Sequence, residues 1–347
     1  MGLRAFAPGR VNLIGDHTDY MGGLVLPMAI GLGTEITGDR GGNWVMLGSD
    51  RFDGVAEVPL GGGAEPADVE PRWARYVAAV VDEVEPDDGL VGMVHSTLPA
   101  DSGLASSAAL LVAVACALGA ERSDPVALAK TCQRAEHRAV GVPVGIMDQL
   151  VSLAASEGTV LRIDCDSLEV DRVPFPEDAE IVVIHSGEHR ELSGSAYAER
   201  RSQCEEAEAL LGRSLREVTA VEVEGLEDPV LARRARHVVT ENRRVDAFAH
   251  ALAADQLAYA GELLVASHAS LRDDFEVSTP VLDEIVATVR GVRGVYGARV
   301  TGAGFGGCVV VLCRPKARIP GPVVWRGRPQ GGASLVTTAS HNGSTPG

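Results

Sequence analysis

With 347 residues, 46% of them apolar and 23% charged, the chain is long enough for two α/β units, or one large one, with a sizeable core. Its formal net charge of -17, with no basic stripe interleaved with aromatics, argues against nonspecific nucleic-acid binding, although a local pocket can still take a phosphorylated ligand. The longest apolar run, 108–119, is too short to cross a bilayer, the first residues lack a signal-peptide apolar core, and six cysteines without a C-x-x-C pair read as reduced thiols, so a cytoplasmic chain without membrane association is expected.

Residues 3–9 read as a first strand ending at Pro8-Gly9. Residues 10–23, R-V-N-L-I-G-D-H-T-D-Y-M-G-G, crowd acids, a histidine, a tyrosine and an arginine among glycines, a loop composition of the kind that carries sites. Strand character resumes at 24–37, one or two edge strands are expected within 43–59, and 61–70 reads as a turn or linker. A helix is expected over 73–84, with Trp73, Tyr76, Val77 and Val80 on one face, followed by a strand at 90–95. That strand feeds S-T-L-P-A-D-S-G-L-A-S-S-A-A-L-L-V-A-V-A-C-A at 96–117. Gly103 permits a tight backbone path, and a helix should begin at Ser106-Ser107. Unpaired N–H groups at such a terminus make a phosphate cradle, but an ordinary loop before a core helix fits the same residues. The helix itself is too apolar for the surface and should be central.

Asp124-Pro125 predicts a capped helix to about 139, broken by Gly141, Pro143 and Gly145, and the loop G-V-P-V-G-I-M-D-Q then presents an acid, Asp148. Strands are expected at 160–163 and 181–184. Helices follow at 195–211, 242–257 and 260–270, and another starts at the second cap-plus-proline pair, Thr279-Pro280. Residues 295–313 read as strand, glycine loop and very apolar strand. Beyond Arg314 the composition predicts a loosely held tail with one last strand at 333–337. The expected division is 1–170 and 171–347.

Neither G-x-G-x-x-G after a first strand nor G-x-x-x-x-G-K-S/T is present, which argues against Rossmann and P-loop proteins. Instead, A-P-G-R-V-N-L-I-G-D-H-T-D-Y near the start is similar to the galactokinase signature, L-P-A-D-S-G-L-A-S-S-A-A-L resembles that family's phosphate loop, G-I-M-D-Q its catalytic segment, and T-G-A-G-F-G-G-C its third motif. A-Y-A-E-R-R-S-Q-C-E-E from Ala196 resembles a further galactokinase stretch. The chain thus resembles galactokinases over residues 4–313, within the superfamily of kinases acting on galactose, homoserine, mevalonate and phosphomevalonate. The resemblance implies an α/β (α+β) fold of two domains with the active site in the cleft between them. It also implies transfer of the ATP γ-phosphate to the anomeric hydroxyl of D-galactose, with Mg²⁺. A monosaccharide and ATP are then the partners, and a monomer the expected state, with a dimer as the alternative.

The resemblance carries over residue by residue. Asp148 matches the family's base beside the accepting hydroxyl, and Arg10 would orient it and face phosphoryl oxygen charge. Asp16, His17, Asp19, Gly145 and Tyr197, with Asp148, match sugar-binding positions, and an ionised carboxylate such as Asp19 suits a vicinal diol. Ser102, Gly103, Leu104, Ala105, Ser106, Ser107, Ala108 and Gly304 would hold the nucleotide phosphates. Ser107 and Glu136 would ligate Mg²⁺, with Ser106 as the alternative hydroxyl. The bland readings are an Asx-turn for Asp148, a structural ion pair for Arg10, a solvated helix glutamate for Glu136, a packing role for His17 and a tight turn for the glycines of the third motif. Asn12 is expected to pin its own loop.

The chain departs from the pattern at Asp16, where glutamate is usual, and at Asp101 and Ala105, where glycine and serine are usual. The shorter Asp16 leaves open another hexose or an N-acetylhexosamine as substrate. A non-catalytic sugar sensor is a further alternative, although Ser107-Ala108, Asp148, Arg10 and Glu136 together argue for an enzyme. Asp101 is expected to cap the helix or face solvent.

Overall fold

The structure, a computed structural model, describes residues 2–62, 65–99, 102–141, 144–188 and 193–338. The first half comprises β1 (Gly2–Asn12), β2 (Leu24–Val25), β3 (Pro27–Arg40), β4 (Trp44–Ser49), β5 (Ala56–Pro59), α1 (Ala74–Val84), β6 (Leu90–Ser96), α2 (Ser106–Ala117), α3 (Pro125–Val140), α4 (Met147–Ala154), β7 (Thr159–Asp164) and β8 (Val170–Pro174). The second comprises β9 (Glu180–His185), α5 (Ser193–Leu211), α6 (Ala220–Glu224), α7 (Pro229–Ala253), α8 (Leu257–Asp273), α9 (Pro280–Arg290), β10 (Val295–Thr301), β11 (Cys308–Cys313), β12 (Val323–Gly327) and β13 (Ser334–Thr338).

Three sheets result, ordered β13-β1-β3-β6-β4-β5, β10-β11-β9-β12 and β2-β7-β8. β11 is apolar at nearly every position because it is flanked on both sides and wholly buried. α2 follows the same logic among helices: residues 108–117 are all buried, so it has no polar face. One apolar core joins Val11, Leu26 and Met28 to Ile181, Phe248 and Val310, and so ties the two halves of the chain together.

Several elements differ from expectation. β1 does not stop at Pro8-Gly9; it continues to Asn12 through a register shift between Pro8 and Arg10. Proline gives no ladder donor, and a Cβ on Gly9 would lie 2.5 Å from the Leu104 carbonyl oxygen, so the bulge brings this strand against the phosphate loop. α4 begins at Met147, so Asp148 belongs to a helix's first turn rather than to a loop. α7 begins at Pro229, well before 242, with Asp228 accepting from Val230 N at 2.7 Å. β8 and α6 were not expected. The tail beyond Arg314 is not loose as far as residue 338: β12 joins the second sheet, and β13 pairs with β1, crossing the expected division at 170. Ala100, Asp101, Val142 and Pro143 lie outside the described residues.

Candidate active site

The bulge in β1 aims Arg10 at two elements at once. Its Nη1 donates to the Gly103 carbonyl at 2.6 Å, and its Nη2 lies 2.8 Å from the carboxylate of Asp148 in α4. Its backbone N–H donates to the Leu104 carbonyl at 3.1 Å. Gly103 (φ +70°) and Ala105 (φ +61°) adopt left-handed conformations and turn the chain into α2. Ser106 and Ser107, which open α2, therefore line the same space as Arg10 and Asp148, at the positive end of the helix dipole.

Glu136, near the end of α3, is buried in the same wall. Burial, reinforced by the charge of Asp148, pushes its carboxyl up to about 7, against hydrogen bonds from Ser107 and Gln149 and the charge of Arg10. Among the described residues, two buried polar atoms of this wall find no partner: Arg10 Nε and Gln149 Oε1.

The opposite wall is the loop after β1. Gly15 (φ +97°) reverses the chain, and the Thr18 hydroxyl is within 2.8 and 2.7 Å of the Gly15 and Leu24 carbonyls. His17 lies 3.1 Å from the Tyr20 hydroxyl and 3.2 Å from the Ala303 carbonyl, with its ring 4.7 Å from Phe275 and 5.6 Å from Tyr197. Burial, and then the charge of Asp148, raise the Asp19 carboxyl to about 6. Gly145 leaves room for the end of the Asp19 side chain, since a Cβ there would lie 2.4 Å from Asp19 Oδ2. Asp16 is held more tightly than expected: it pairs with Arg299, and its Oδ1 accepts from Gly302 N–H at 3.1 Å and Asn12 Nδ2 at 3.0 Å. Asn12 does pin its own loop.

These walls enclose a cavity of about 590 Å³ lined by Arg10, Asp16, His17, Asp19, Gly103, Ala105, Ser106, Ser107, Glu136, Gly145, Asp148 and Tyr197. The other candidates do not line it. Ser102 bonds to the Pro99 carbonyl, Leu104 and Ala108 are core side chains, and Gly304 packs under Val277, whose carbonyl a Cβ would meet at 2.4 Å. Sequence reasoning missed Gln149 and Arg201 in the cavity wall, and Arg299 behind it. Gln149 follows Asp148 in the motif itself and donates to Glu136. Arg201 reaches the cavity from α5, bonded to Glu205 at 2.8 Å, with its guanidinium over the Tyr20 ring. Arg299 was signalled by a charge inside a buried strand. A wider surface depression of about 900 Å³, at Asp255, Tyr259, Tyr296 and Arg314, is remote from every motif, so chemistry assigns the site to the smaller cavity. Among the described residues no group of three or more His, Cys, Asp or Glu side chains is arranged to hold a metal by itself.

Residues 3–40 match the galactokinase galactose-binding signature, 74–156 the GHMP kinases N terminal domain, and 248–320 the GHMP kinases C terminal region. The human galactokinase is 44% identical over 341 residues, covering 91% of this chain and 84% of that protein. The Haemophilus influenzae galactokinase is 40% identical over 328 residues, covering 89% and 85%. The crystal structure of Lactococcus lactis galactokinase complexed with galactose superposes with a TM-score of 0.84 at 35% identity, covering 90% and 86%. Methanococcus jannaschii mevalonate kinase, at 20% identity and a TM-score of 0.67 with 91% and 92% covered, shares the fold.

Proposed function

The chain belongs to the galactokinase family, and from that premise we infer that it transfers the γ-phosphoryl group of ATP to the anomeric hydroxyl of D-galactose, giving α-D-galactose 1-phosphate and ADP. The observation that carries this reading is the Arg10–Asp148 pair, facing into one cavity between the N-terminus of α2 and the Asp19 loop.

Asp148 accepts the proton of the anomeric hydroxyl as the new oxygen–phosphorus bond forms. Arg10 orients that carboxylate and faces the developing charge on the phosphoryl oxygens. The amides of Ser106 and Ser107 receive the nucleotide phosphates, and Gly103 and Ala105 supply the turn that aims them. Asp19 and His17 hold ring hydroxyls, and Tyr197 backs His17. Asp16 contributes chiefly by shaping its loop, since both of its oxygens already have protein partners.

The site also suits Mg²⁺. The Ser107 hydroxyl and the Glu136 carboxylate are hard oxygen donors, and a carboxyl raised by burial gains from a neighbouring cation. When bound, the ion would neutralise phosphate charge. A cytoplasmic location is part of the same reading, and the chemistry that goes with it is an interior of thiols, Cys116, Cys132 and Cys204 being buried in the core.

The test is to incubate the purified chain with ATP, Mg²⁺ and single free hexoses and N-acetylhexosamines, and to locate the product phosphate by ³¹P NMR. α-Galactose 1-phosphate as the main product supports the reading. Turnover of another sugar but not galactose, or sugar binding with no ATP consumed, defeats it.

A further inference from the structure

Glu241 in α7 and Arg299 in β10 are fully enclosed charges that no step above uses, and neither lines the cavity. Both reach the sugar-facing loop from behind. Glu241 Oε1 accepts the Gly15 N–H at 3.0 Å and the Ser267 hydroxyl at 2.6 Å, while Oε2 accepts from Arg244 Nε at 2.6 Å. Arg299 Nη1 donates to the Leu13 carbonyl at 3.2 Å and lies 3.5 Å from Glu241, and Nη2 pairs with Asp16. Beside them His237 Nε2, 3.1 Å from the Asp16 carbonyl, must carry the ring proton there, because a carbonyl only accepts.

The cluster balances two carboxylates against two guanidiniums. Buried pairs of this kind add little net stability over apolar packing, but they tolerate few alternative arrangements. Their contacts converge on the backbone of Leu13, Gly15 and Asp16, directly before His17 and Asp19. The phosphate side has separate anchors in Gly103 and Leu104. A disturbance behind the loop should therefore displace the sugar groups and spare the nucleotide groups.

We propose that Glu241 and Arg299 are positioning residues for the sugar: they touch no substrate and, through the loop backbone, set where His17 and Asp19 meet it. This rests on the galactose reading above. Glu241→Gln keeps the shape and an acceptor for Gly15 but removes the balancing charge, and Arg299→Lys keeps the charge but loses the fork. In both, the galactose KM should rise about 10- to 100-fold, with kcat within about threefold and the ATP KM unchanged. Amide exchange of segment 10–23 in the free protein should quicken, while that of 102–108 should not.

Should either variant fold poorly, Ser267→Ala removes one donor from Glu241 and should give a smaller shift of the same kind. An unchanged galactose KM in folded protein, or equal rises in both KM values, overturns the proposal. If the parent turns over no galactose, the function falls, and exchange of segment 10–23 decides alone whether Glu241 and Arg299 hold the loop.

Discussion

Two arginine–aspartate pairs draw one member each from the strand and loop at residues 10–19, yet they do opposite things. In Arg10–Asp148 the side chains are 11% and 26% exposed, Arg10 Nε has no partner among the described residues, and the pair faces the cavity. In Arg299–Asp16 the side chains are 0% and 5% exposed, and each Asp16 oxygen has a protein partner. The chemistry of the two pairs is the same, and what differs is spare bonding capacity. The open pair can rearrange its bonds around a substrate, whereas the sealed pair can only hold shape.

The contrast breaks most sharply at Asp148. Asp148→Asn should lower kcat by about 10²–10⁴-fold with galactose binding largely kept, read by a coupled ATP assay and by calorimetry. Near-normal turnover would remove Asp148 from its role. Arg299→Met should act on folding instead, because it strands two buried carboxylates, and denaturant unfolding should show a loss of about 3–5 kcal/mol. Arg10→Met should lose only about 1 kcal/mol or less beside a larger fall in turnover, since its partner is partly solvated. Equal stability losses at the two arginines would erase the distinction.

Asp19 sharpens the contrast through pH. Its folded carboxyl titrates near 6 rather than 3.8, so the ionised form is the disfavoured one. Galactose KM should therefore rise as pH falls through about 6, where the second acceptor oxygen is lost. The sign for stability is reversed: burying this carboxylate costs nothing below 3.8 and its full amount above 6. Asp19→Asn should thus stabilise the protein at pH 8 by about 1–2 kcal/mol, after allowing for the partial exposure of this side chain, and by little at pH 4, as thermal melts at the two pH values would register. The smallest effect is expected at Gly145→Ala, where the new Cβ displaces only the end of the Asp19 side chain: galactose KM rises about tenfold or less with folding unchanged.

Much of the cavity-facing side was legible because its residues are contiguous with their glycine turns, as in the segments around Arg10, Ser107 and Asp148. The sealed side was not, because Arg299 and Asp16 are 283 residues apart and only the packing of β10 and α7 behind the loop joins them. Asp228-Pro229 carried the same cap-plus-proline signal that located the helices at 125 and 280, yet the charged stretch after it masked the helix's long apolar face. α4 was hidden by the glycines and proline before it, which read as one loop through Asp148. The last strand was expected at 333–337 and lies at Ser334–Thr338, but β12 and the pairing of β13 with β1 are set by tertiary contact rather than by local pattern, so the composition of the tail hid them.

The enclosure of α2 on every side has a consequence for how the enzyme fails. A helix without a polar face has no independent existence in water, so its terminus cannot outlast the interior that surrounds it. Heat inactivation should coincide with loss of near-ultraviolet dichroism, leaving no warm, still-folded form that has merely let go of its nucleotide.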